Sequence, residues 1–165
     1  MAQRRRGGAG GARGGAARRH LSLERIERRR LPPPAFPSAL VLTCLRLRAK
    51  PIGDFTTEDL RIMIAQRQGL AHLAPLAVER LEVEPLAGGD FHPGDLLRAL
   101  IRTGAPVFDA DPALARRAAE VCRRASALLA EPEPSANPKL AAAMAAEFDA
   151  FRARWGDGAP TGGRR

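Results

Sequence analysis

The last third of the chain carries an apolar stripe that strongly limits how it can fold. Leu140, Met144, Phe148, Phe151 and Trp155 recur at spacings of four, four, three and four. That period places all five on one side of an α-helix, whereas a strand would send neighbours to alternate faces. Similar spacings recur upstream, and no convincing run of period two interrupts them. The pattern predicts a small all-α domain of five or six short helices.

Start and stop signals divide the chain further. Ser38 is placed to cap a helix carrying Leu40, Val41, Cys44 and Leu45, with Leu47 at its edge. Pro51 disfavours helical geometry at Lys50, so this helix should end near Ala49. Thr56 is the next expected cap, with Glu58 and Asp59 in the first turn, where they complement the helix dipole. Leu60, Met63 and Ile64 form that helix's buried face, and Gly69 is expected to end it. A helix from about Ala71 to Val83 follows, with Leu73, Leu76, Ala77, Val78 and Leu81 inward and Pro75 in its first turn or kinking it. Asp111 and Pro112 begin another, with Leu114, Ala118, Val121, Cys122, Ala125 and Leu128 along one side. EPEPSANP, residues 131–138, reads as a connection.

Net charge is +9 over 165 residues, but the excess is local. Residues 1–30 hold ten arginines against Glu24 and Glu27, and the remainder is close to neutral. No Leu, Ile, Val, Phe or Trp precedes Leu21, so residues 1–20 have nothing to bury and are expected to be a disordered basic tail. Residues 21–155 are the expected helical domain, and 156–165 a loose end. The tail is no signal peptide, because its basic residues run into Gly and Ala rather than an apolar stretch. No segment reaches the roughly 18 apolar residues of a membrane span. Cys44 and Cys122 fall outside any paired spacing and read as reduced, buried thiols of a cytoplasmic protein.

The stretch EPLAGGDFHPGDLLRAL, residues 84–100, could be a catalytic loop, a metal site or a turn. Asp90, His92 and Asp95 are acceptable metal ligands within six residues. A site of that composition normally recruits another His or carboxylate, and neither His20 nor His72 is an obvious recruit. A turn followed by a helix start accounts for the same residues: Gly88 and Gly89 supply conformational freedom, Pro93 fits the first helical position, and Asp95 sits in the first turn. Leu96, Leu97, Leu100 and Ile101 then carry the buried face. No serine lies in a nucleophile turn, and neither Lys50 nor Lys139 follows a phosphate-binding glycine loop. No enzyme activity, cofactor or metal is expected.

The acids are concentrated instead. From Asp54 to Asp95 there are eight, opposed only by Arg61, Arg67 and Arg80. A solvated helix face is one reading. The sharper one is a surface for a basic protein such as a nuclease, with complementary potentials speeding encounter.

Residues 44–102 resemble immunity proteins of bacterial contact-dependent growth inhibition (CDI) systems. The resemblance rests on RAKPI, on TTEDLRIMIAQRQGL, on PLAVERLEVEPL and on GDFHPGDLL, in that order and spacing. His92 stands where the family commonly has an aromatic, and Gly88 where it has a polar residue. The resemblance implies a small non-enzymatic protein that neutralises the C-terminal toxin domain of a cognate exoprotein, with active-site blocking as the expected mode. Glu79, Glu82, Glu84, Asp90, Phe91, His92 and Asp95 are the candidate contacts. The alternative is an RNA- or DNA-associated adaptor acting through the arginine-rich tail.

Overall fold

The structure, a computed structural model, describes residues 18–90, 92–131 and 137–156. The expected tail over 1–17, the loose end over 157–165, most of the 131–138 connection and Phe91 lie outside the described residues. Eight α-helices and no strand occur among the described residues. Six have seven residues or more; the other two are single turns of four. The chain divides into two compact units, Met1–Asp54 and Phe55–Arg165.

The first unit holds α1 (Leu23–Ile26), α2 (Ala39–Ala49) and a 3₁₀ turn at Ile52–Asp54. Its ends are drawn together by backbone bonds: the Ile52 amide donates to the Leu21 carbonyl at 3.0 Å and the Gly53 amide to the Arg19 carbonyl at 2.8 Å. Ser38 caps α2 as expected, its side chain accepting from the Val41 amide at 3.3 Å. The buried face differs from expectation. Leu40 and Val41 are exposed, Cys44 is half-buried, and Leu47 and Arg48 are the buried residues. ALVLTCLRLRA is apolar almost all round, so its sequence does not distinguish one face from another. Arg48, whose side chain is only 4 % exposed, is neutralised by Glu27 and also donates to the Arg29 carbonyl, tying the end of α2 to the end of α1.

The second unit holds α3 (Thr57–Ala65), α4 (Leu70–Val83), α5 (Asp95–Ile101), α6 (Ala105–Phe108), α7 (Pro112–Ala130) and α8 (Pro138–Trp155). Thr56 and Asp59 form a reciprocal capping box at the start of α3. The end of α3 departs from expectation. Arg67 takes a left-handed angle (φ 54°) just past the helix, ahead of Gly69, while the Gln68 amide reaches the Met63 carbonyl and the Arg67 amide the Ile64 carbonyl. Those two bonds satisfy carbonyls that a helix end would leave open. Gly69 instead caps the start of α4. Pro75 lies inside α4, beyond its first turn. Pro93 likewise precedes α5: Gly94 is the cap, at φ 87°, and Asp95 is the first helical residue. Asp111 and Asn137 cap α7 and α8 through their side chains, each followed by a proline at the first helical position.

The second unit's core is built from the predicted stripes. Leu60, Met63, Ile64, Leu73, Ala77, Val78, Leu81, Leu96, Leu97 and Leu100 are buried, and α3, α4 and α5 pack on one another. α7 and α8 form the most extensive helix pair, with Val121, Cys122 and Ala125 buried on one side and Met144, Phe148 and Phe151 on the other. Leu128 is the exception on α7 and remains exposed. Phe108 from the unpredicted turn α6 completes an aromatic cluster, its ring centroid 4.7 Å from Phe151 and 5.6 Å from Trp155.

Candidate functional site

The segment from Glu84 to Asp95 leaves α4, makes a tight loop and enters α5. The loop folds back on itself: the Gly94 amide donates to the Leu86 carbonyl at 2.8 Å. A Cβ on Gly88 would stand 2.7 Å from the His92 carbonyl oxygen. That backbone cannot give way as a side-chain tip would, so glycine is required here. The unusual Gly88 therefore has a steric cause.

The loop is also pinned from α3. Glu58 accepts from Arg61 through both carboxylate oxygens, at 2.5 and 2.6 Å, and takes the Asp90 amide at 3.2 Å. A Cβ on Gly89 would run into the Glu58 carboxylate. Arg61, together with the Asp90 amide, holds the Glu58 carboxyl below its ordinary value despite partial burial. Thus TTEDLR and GGDFHPGD, separate in sequence, form one unit: the first supplies the cap and the clamp, and the second is the clamped loop. At its far end the His92 amide donates to Asp95 Oδ2 at 3.2 Å, which links the loop to the first turn of α5.

Of the predicted contact residues, Asp90, His92 and Asp95 are brought together on this loop, with Asp90 and His92 exposed. Glu84 is exposed at the end of α4 and Glu79 is half-buried on it. Glu82 is engaged elsewhere. Its carboxylate makes two bonds to Arg117 of α7, at 2.7 and 2.8 Å, and its carbonyl accepts from Arg124 at 2.7 Å. Arg117 accordingly depresses the Glu82 pKa. Of the eight acids in the middle of the sequence, Glu82 is thus paired with an arginine of a later helix and Glu58 with Arg61 of its own. Among the described residues, no three His, Cys, Asp or Glu side chains converge into a metal-binding group. No described helix is long and apolar enough to cross a membrane.

Sequence reasoning missed a groove beside the loop, with a volume of about 320 Å³. Arg61, Arg67, Arg98, Arg102, Asp95 and Thr103 contribute to its lining. Arg98 and Arg102, one turn apart on and just after α5, share the carboxylate of Glu147 from α8, with Nη2–Oε1 distances of 2.8 and 2.9 Å. Arg98 first, and then Arg102, hold the Glu147 carboxyl below its ordinary value. Arg67 reaches across from the end of α3 to the carbonyls of Thr103 and Arg102, at 3.3 and 3.4 Å. The only local sequence signal was the i, i+4 spacing of Arg98 and Arg102; their carboxylate lies more than forty residues away.

The family described as CDI immunity proteins matches residues 25–118, a stretch running from α1 into α7 that includes the clamp and the whole loop. The chain belongs to this family. No curated protein and no solved structure matches it.

Proposed function

We propose that this protein binds and neutralises the C-terminal toxin domain of a cognate CDI exoprotein in the cytoplasm of the producing cell, acting as an inhibitor and not as an enzyme. The family match over the stretch that contains the clamped loop carries this reading. Asp90, His92 and Asp95, with Phe91 between them in sequence, form the proposed contact tip. Glu79 and Glu84 extend it along α4, and Glu82 contributes as half of its pair with Arg117. The loop is braced before it meets a partner by the Glu58 carboxylate, the Leu86–Gly94 bond and the Gly88–His92 close approach. Pre-organisation of this kind lowers the entropic cost of binding and slows dissociation. Protection from a lethal activity calls for nanomolar binding or better, roughly −12 kcal/mol, and hence a desolvated centre as well as complementary charge. Covering the toxin's active site is the proposed mode, with a basic nuclease as one toxin class that suits the acidic tip.

Co-expression tests this reading. Cells producing the C-terminal domain of the exoprotein encoded beside this chain should survive when the chain is present and die when it is absent. Removing residues 1–17 should leave protection intact. Death in both cultures, with the chain soluble and folded, would contradict the proposal; protection that depends on residues 1–17 would favour the nucleic-acid adaptor.

A further inference from the structure

The geometry points to a second recognition element: the arginine groove beside the loop is a socket for a single carboxylate side chain of the toxin. This inference rests on the toxin-binding reading above and deepens it.

Charge balance is the first reason. Arg98 and Arg102 both bond to Glu147, so two guanidiniums share one carboxylate. Arg67 and Asp95 also line the groove and Arg61 is matched by Glu58, so three guanidiniums face two carboxylates and one positive charge is left over. Arg98 and Arg102 each commit Nε and Nη2 to Glu147. The fork geometry of arginine suits it to receive a further carboxylate with specific orientation. Arg102 has a side chain 58 % exposed, so an incoming group can reach it, whereas Arg98 and Glu147 are more sheltered, at 25 and 29 %.

Preparation of the site is the second. The carbonyl end of a helix carries partial negative charge and would repel an anion. Here Arg67 donates to the Arg102 and Thr103 carbonyls just past the end of α5 and screens them. Arg67 holds a left-handed backbone angle while it does so. The cap bonds and the guanidinium contacts offset the strain of a non-glycine residue in that conformation.

Continuity with the loop is the third. Arg61 lines the groove, and its partner Glu58 holds the Asp90 amide. Asp95 lines the groove and accepts the His92 amide. A partner seated on the loop therefore also lies over the groove. The occupant fits a lone carboxylate better than a nucleic-acid backbone. The acids Glu58, Asp90 and Asp95 surround the site, and a chain of phosphates would meet them as well as the arginines. A two-signed interface follows, with the acidic tip on basic toxin residues and the arginine socket on an acidic one. Glu147 belongs to α8, outside the family-matched stretch. The socket is thus a feature that this chain assembles with its own last helix.

Affinity for the purified toxin domain tests the inference with three proteins: wild type, Arg102→Ala and Glu147→Gln. Arg102→Ala should weaken binding about tenfold, as loss of one partner in a charged interfacial pair does. Glu147→Gln removes the competing carboxylate and should tighten binding about threefold. A purely structural role predicts that both variants weaken binding, and that outcome overturns the socket. Unchanged affinity in Arg102→Ala also overturns it, and leaves the proposed function standing if wild type binds. Absence of wild-type binding overturns both. A mixed-sequence single-stranded DNA is the final probe. Binding to wild type that disappears in Arg102→Ala would identify a phosphate site and overturn the carboxylate assignment.

Discussion

Two grooves of the second unit have nearly the same ingredients and very different construction. The first, beside the loop, is lined by residues of α3, α5 and the segments following them, and its Arg98 and Arg102 share a carboxylate supplied by α8. The second runs between α7 and α8, with Arg116, Arg123 and Arg152 beside Glu120 and Asp149. In the second groove, Arg123 is paired with Glu120 and Arg152 with Asp149, each three residues away on its own helix and largely exposed. Such pairs form and break in water and contribute little. In the first groove the shared carboxylate comes from a distant part of the chain. Local pairs leave their arginines free to move; the shared long-range pair holds Arg98 and Arg102 in one geometry.

The strongest way to break this comparison is to remove what supports both grooves. Phe148, fully buried on α8, stands beside Glu147 and Asp149 in sequence and anchors that helix. Phe148→Ala should cost about 3–5 kcal/mol in denaturant unfolding and abolish toxin binding at the first groove. Gly94→Ala acts at the junction of the loop and α5. The Met144 tip lies 2.5 Å from where a Cβ would stand and can move, but the backbone angle of 87° cannot be relieved so easily. A loss of about 1–2 kcal/mol is expected in thermal or denaturant melts, together with a larger loss of toxin affinity.

Acid titration separates the grooves more finely. Glu147 has a folded-state pKa below its ordinary value of 4.5 because Arg98 and Arg102 face it. The stability from this pairing is fully present above that ordinary value and is lost as the pH falls through the depressed folded value. Glu147→Gln should therefore flatten the acid limb of a stability–pH curve below about pH 4.5. Glu120→Gln should leave the curve within error, because its carboxylate is exposed and screened by solvent and salt. The smallest expected signal is chemical. Burial pushes the Cys122 thiol up to about 12, so a thiol reagent should modify native protein at Cys122 far more slowly than unfolded protein.

The helices were legible where polar and apolar residues alternate at helical spacing. Leu60, Met63 and Ile64, or Met144, Phe148 and Phe151, have polar or small neighbours that define the buried face. α2 resisted the same reading, because leucine, valine and cysteine surround it and only packing selects Leu47. Cap chemistry was legible at Ser38, Thr56 and Asp111. It misled at Gly69 and Pro93: α3 closes earlier, through Arg67, so that Gly69 caps α4, and Gly94 rather than Pro93 leads into α5. The turn at α6 lacked enough residues to show a period, which is why Phe108 went unrecognised as a core residue. At the site, the sequence placed Asp90, His92 and Asp95 on one loop. It could not show that Glu58 clamps that loop, that Arg117 engages Glu82, or that Glu147 serves two arginines. Those pairings link residues 32 to 49 positions apart, and folding creates them.

Hydrogen exchange of the chain alone and in complex with the toxin domain tests the central claim most directly. Binding is predicted to slow exchange across residues 88–102, covering the loop and the first groove, and to leave 116–123 and 149–156 unchanged. Protection confined to the α7–α8 groove, with 88–102 exchanging as in the free protein, would contradict the account.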